Sequence, residues 1–233
     1  MRRELAAATH VLSSAPPAAA RDPVLARYFD PTAAGAQWLG YLSSTGVYGD
    51  AAGAWVDETA PTGSGRRTDR AAADAAWLAL GARVFRLPGI YGPGRSALDR
   101  VADGRAHRTG LTEQVFSRIH VDDIVSGVIA GFGGLPGAYN LADDRPSSQD
   151  DIVGFAARLL GVPPPPLVAL ADLSPMARGF YAENRRIANG KAKRLLGWSP
   201  RYGDYRAGLR SVNAISSPAI TSAAPSIDSG AQR

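Results

Sequence analysis

At 233 residues, 45% hydrophobic and 20% charged, the chain is long enough for a sizeable core and reads as one domain, or one domain with a small satellite. The absence of cysteine removes disulfides, thiolate nucleophiles and cysteine-type zinc sites, and His10, His107 and His120 lack the spacing of a metal pair, so no metal is expected. The formal net charge of +5 comes from scattered basic residues, paired only briefly as in Arg66-Arg67 and Arg185-Arg186, so no nucleic-acid partner is expected.

No run approaches the roughly 18 apolar residues of a membrane span, and the opening lacks a signal-peptide pattern, so no membrane partner is expected. A soluble cytoplasmic protein is the default, with organelle targeting left open by the Arg/Ala/Ser-rich start.

In chain order, THVLSS at 9–14 is a short β-type run stopped by Pro16-Pro17, and AQWLGYLSST at 36–45 is another. Residues 66–80 are alanine-rich and free of Gly and Pro, with Ala73, Ala76, Trp77 and Leu80 on one face, which predicts a helix ending at Gly81. ARVFRL at 82–87 then reads as a buried strand closed by Pro88-Gly89. Strand, helix and strand with short connections predict a βαβ unit and a parallel sheet.

Further on, 96–103 reads as a short helix, 114–121 as a strand, and 122–132 as a helix capped by Asp122 or Asp123. AYNL at 138–141 is a short strand, and 147–160 is a helix with a Ser start and a Gly161 stop. The four prolines at 163–166 force an extended segment, 189–200 holds a last helix ending at Gly197, and 211–233 reads as a disordered tail.

Five motifs stand in one order: Ser43-Ser44-Thr45-Gly46-Val47-Tyr48-Gly49, Arg86 to Gly94 (RLPGIYGPG), His120-Val121-Asp122-Asp123-Ile124, Tyr139-Asn140-Leu141, and Lys191 to Pro200 (KAKRLLGWSP). In that order they resemble the extended short-chain dehydrogenases/reductases of the NAD-dependent epimerase/dehydratase type, from about Thr9 to Leu209. The resemblance makes THVLSSAPP the family's fourth strand. It leaves no room before Thr9 for the first three strands and the Gly-rich turn on which a dinucleotide lays its pyrophosphate. The chain is therefore expected to start inside a longer product.

In the resembling enzymes a Ser or Thr after the fifth strand, a Tyr, and a Lys four residues later relay a proton. Thr45 matches the first, but Arg66 and Arg70 stand where the Tyr and Lys belong, with Asp74 following. Arginine holds its proton to above roughly pH 12, so neither residue can serve as a general acid or base. Gly46 and Val47 replace the acidic pair of the sugar dehydratases, which argues against dehydration. The pattern is similar to the atypical members that keep the fold and have lost the Tyr-Lys pair.

Thr45, Arg66 and Arg70 are thus the candidate catalytic residues, Thr45 as a carbonyl donor or only a turn, the arginines as an anion clamp or a solvated helix face. By resemblance, the NAD or NADP site takes Ser14, Ala15 and Pro16 after the fourth strand, Ser43 and Ser44 after the fifth, and Pro88, Gly89 and Ile90 after the sixth. Tyr48 and Tyr91 are expected to pack with satisfied hydroxyls, His120 to be structural, and Trp198 to anchor the last helix.

The expected fold is α/β, a partial Rossmann-type parallel sheet of the family's strands 4 to 6 with helices, plus a small C-terminal substrate lobe. The sheet part takes 1–95 and a returning segment at 117–136; the lobe takes 96–116 and 137–210. The implied function is an NAD(P)-linked epimerase/dehydratase-like oxidoreductase of atypical type acting on a small molecule, a nucleotide sugar being the family's example, with a homodimer among the admissible assemblies. The alternative is a non-catalytic NAD(P)- or metabolite-binding module.

Overall fold

The computed structural model describes residues 2–18, 21–28, 38–66 and 68–216. Four strands, β1 (His10–Ser13), β2 (Trp38–Ser44), β3 (Arg83–Leu87) and β4 (Gly137–Asn140), pair in that order, every pair parallel. Parallel strands need both faces covered, and helices supply the cover. On one face, α1 (Thr68–Ala79) lays Ala73 and Trp77 against Val11, Tyr41 and Val84, with the Trp77 and Tyr41 rings stacked at 5.5 Å.

The opposite face receives a later helix. After α2 (Ala97–Ala102), the chain returns to the sheet as α3 (Val121–Ala130), whose Ile124 and Val128 pack on Trp38, Phe85, Tyr139 and Leu141. Gly131 ends α3 so close to the sheet that a Cβ would lie 2.5 Å from the Phe85 ring, and its carbonyl accepts from the Trp38 indole at 2.9 Å. Trp198 joins this core as expected and donates to the Ser126 hydroxyl at 3.0 Å.

The lobe packs α2, α4 (Gln149–Leu160) and α5 (Tyr205–Ser216) together through Leu98, Ile152, Phe155, Tyr205, Leu209 and Val212. Short strand pairs stitch it to the sheet: Gly89–Tyr91 runs parallel to Arg118–His120, and Trp55–Val56 parallel to Arg186–Ile187. Among the described residues no helix is long and apolar enough to cross a membrane.

Four expectations need correction. The strand at Gly137–Asn140, assigned above to the lobe, is the fourth strand of the main sheet; four residues are too few to show their place, which Tyr139 and Asn140 take by being buried on both faces. The first long helix begins at Thr68, leaving Arg66 outside it, because Gly65 is pressed against the 45–48 turn, where a Cβ would lie 2.6 Å from the Gly46 carbonyl. The cap of α3 is His120, whose Nδ1 accepts from the Asp122 amide at 3.2 Å, while Asp123 accepts from the Arg201 and Tyr202 amides. Finally, α5 carries regular structure to Ser216, into the stretch read as tail; 217–233 lies outside the described residues.

Candidate functional site

In an open parallel sheet, ligands bind beyond the carboxyl ends of the strands, where loops diverge and backbone groups are free. A cleft of about 900 Å³ lies there, at the ends of β1, β2 and β3, with the lobe as its far wall. Of the residues singled out above, Ser14, Ser43, Ser44, Thr45, Arg66, Arg70, Pro88, Gly89 and Ile90 line it, and Ala15 and Pro16 do not.

The three hydroxyls at the end of β2 have different fates. The buried Ser43 hydroxyl donates to Asp74 Oδ2 at 2.7 Å. Ser44 Oγ accepts from the Gly46 amide at 3.1 Å and caps the turn at Thr45–Tyr48. Thr45 lines the cleft with no hydrogen bond from its hydroxyl to any described residue, the one of the three wholly unengaged.

Behind these hydroxyls lies a buried polar network. Arg86 binds Asp74 through two donors, Nη2 to Oδ1 at 2.7 Å and Nε to Oδ2 at 3.1 Å, and donates Nη1 to the Tyr48 hydroxyl at 3.0 Å. Tyr48 donates onward to Asn140 Oδ1 at 2.7 Å, and Asn140 to the Ala188 carbonyl at 3.0 Å. Asp74 is 1% exposed, so α1 turns it into the protein, contrary to the solvated-face reading.

This network also decides the tyrosines. Burial pushes the Tyr48 phenol up to about 12 despite the Arg86 charge beside it, so it stays protonated near neutrality. Tyr91 is raised as well, by burial first, and its hydroxyl has no hydrogen-bond partner among the described residues; it presses on Gly208, where a Cβ would come within 1.9 Å. The expectation of a satisfied hydroxyl therefore holds for Tyr48 and fails for Tyr91, which trades that bond for close helix packing.

Arg70 donates Nη1 to the Tyr41 hydroxyl at 2.8 Å and forms no ion pair among the described residues. Arg66 sits 3.5 Å from Glu183 and over the Phe180 ring. The lobe adds residues that sequence reading did not find: Arg95, Arg100, His107, Arg118 and Arg185 also line the cleft. Their one signal was Arg118, a charge inside an apolar strand run. The spacing G-x-x-G-x-x-G occurs at Gly131, Gly134 and Gly137, but leads from α3 into β4, the reverse of a strand-to-helix phosphate turn.

No protein-family model matches the chain. The structure of a functionally unknown conserved protein from Silicibacter pomeroyi DSS is 44% identical, with a TM-score of 0.81 over 89% of this chain and 77% of that one. The chain belongs to that protein's family. DesIV, a dTDP-glucose 4,6-dehydratase from Streptomyces venezuelae solved with NAD and TYD bound, is 20% identical with a TM-score of 0.71 over 91% of this chain and 74% of its own. Its likeness extends to the fold alone: the chain has the parallel-sheet α/β fold that NAD-dependent dehydratases and epimerases share.

Among curated proteins, a 3-diazoavenalumate denitrifying reductase of a Streptomyces species is 32% identical over 56% of this chain and 46% of its own length. The chain spans about half the length of the curated relatives it matches.

Proposed function

We propose that this chain belongs to an NAD(P)-linked oxidoreductase of atypical short-chain type, which reduces a small molecule without a tyrosine-lysine relay. The observation that carries the reading is the Thr45 hydroxyl, the one of three left unbonded, at the strand ends where the fold's ligands sit. The reductase name of the Streptomyces relative supports it.

Ser14, Ser44, Pro88, Gly89 and Ile90 fit the cofactor's side of the cleft, lying at or just beyond the ends of three adjacent parallel strands. Ser43 serves them indirectly, by tying β2 to Asp74, and Ala15 and Pro16 continue the β1 loop beyond the lining. When bound, a nicotinamide supplies the hydride. Thr45 orients an acceptor atom of the substrate, and Arg66 and Arg70 set a positive field without exchanging protons.

Because the Tyr48 hydroxyl is engaged by Asn140 and Arg86 outside the cleft lining and the Tyr91 hydroxyl is buried against Gly208, neither phenol is placed to hand a proton to a ligand, and the reading requires an acceptor whose reduction takes its proton from water. The same observation favours the second reading, a metabolite-binding module with no turnover. The test is a tryptophan-fluorescence titration of the full-length gene product with NADH and NADPH, followed by loss of NADPH absorbance with a panel of carbonyl acceptors. Saturable cofactor binding with turnover is expected. A flat titration with both cofactors removes the oxidoreductase reading, and cofactor binding with no turnover leaves the module.

A further inference from the structure

The lobe wall carries two guanidinium groups whose arrangement no role so far explains. Arg100, on α2, has no hydrogen bond and no ion pair from its side chain among the described residues. Arg118 is held by neutral acceptors only: Nη1 donates to the carbonyls of Phe116 at 2.7 Å and Ser147 at 3.0 Å, and Nη2 to Gln149 Oε1 at 3.4 Å. Both line the cleft.

Arg118 also feels the like charge of Arg100. Burial lowers both guanidinium groups, Arg118 to about 10; the Asp143 carboxyl opposes that shift in Arg118, and the Arg100 charge adds to it. Both remain charged near neutrality. Arg100 stands exposed in the cleft and Arg118 is half-buried, so this wall carries an excess of positive charge that an anion entering the cleft would offset.

The surroundings narrow the anion. The Phe116 and Tyr181 rings meet edge to face at 5.8 Å and 82° beside these groups, and Arg118 lies 5.8 Å over the Phe116 ring. Most of Arg118's donors are already used, so the site offers one open guanidinium fork and one fixed charge behind it. That suits a carboxylate, with two oxygens in a plane, better than a diphosphate carrying several charges. The aromatic pair supplies an apolar wall for a flat body.

We propose that the lobe side of the cleft binds a planar organic carboxylate, its carboxylate on Arg100 with Arg118 as the supporting charge and its body against Phe116 and Tyr181. This rests on the oxidoreductase reading only in taking the cleft as the place of reaction; the binding itself needs no cofactor.

The test is calorimetric titration of the full chain with trans-cinnamate, the neutral cinnamamide and UDP, each with and without saturating NADPH, in the native protein and in Arg100→Gln and Arg100→Lys. Expected are saturable cinnamate binding, at least tenfold weaker cinnamamide binding, a loss of about tenfold in Arg100→Gln with partial recovery in Arg100→Lys, and unchanged NADPH affinity in both variants. Equal binding of cinnamate and cinnamamide, or cinnamate binding untouched in Arg100→Gln, overturns the site. UDP binding tighter than cinnamate and lost in Arg100→Gln overturns the carboxylate in favour of a diphosphate. Cinnamate binding that survives where NADPH binding is absent keeps the site and removes only the oxidoreductase reading.

Discussion

The two walls of the cleft treat their polar groups in opposite ways. On the sheet side, Ser43, Asp74, Arg86, Tyr48 and Asn140 satisfy one another, and Ser44 accepts from the Gly46 amide. On the lobe side, among the described residues, the Arg100 side chain has no hydrogen bond or ion pair and Arg118 has no carboxylate in ion-pair contact. A closed network fixes a floor, because every broken bond strands a buried group. An open set of charges does little for the fold and waits for a ligand.

That contrast can be broken most sharply at Asp74. Asp74→Ala strands the buried Arg86 guanidinium and is expected to lower unfolding stability by about 3–5 kcal/mol, read as a fall in the urea midpoint. A midpoint within error of the native protein would mean that the floor network contributes nothing.

Asp143, 1% exposed beside Arg118, gives the next effect. Burial pushes its carboxyl up to about 8, so between about pH 4 and that value the folded protein holds a proton the unfolded chain has released. Stability should therefore fall as pH rises through that window, by at most about 1.4 kcal/mol per pH unit, and Asp143→Asn should flatten the profile. A profile identical in the variant would rule out Asp143 as its source.

The smallest effect belongs to the lobe wall. Arg100→Gln should change unfolding stability by no more than about 0.5 kcal/mol, because no native bond is lost. A larger loss would make Arg100 a structural residue and erase the difference between the walls.

Much of the sheet side was legible in the sequence because its motifs are local: SSTGVYG and RLPGIYGPG each hold a strand end and its loop in consecutive residues. The role of Asp74 was not, since only the fold brings Arg86 to it. Helix α5 was missed for a tertiary reason. Its Gly208 breaks the helical pattern, and it is required because the Tyr91 hydroxyl occupies the space of a side chain. The lobe arginines come from separate elements and form a set only when α2 and the Arg118–His120 strand face one cavity.

The chain passes from sheet to lobe at α2, returns for α3 and β4, and leaves again for α4, so neither half is a continuous stretch of sequence. Leu111, Thr112 and Glu113 lie exposed on the return from α2 to α3. A protease that nicks the chain there would cut one covalent thread, yet both fragments would carry pieces of both halves. They should remain together through a gel-filtration column and separate only in denaturant.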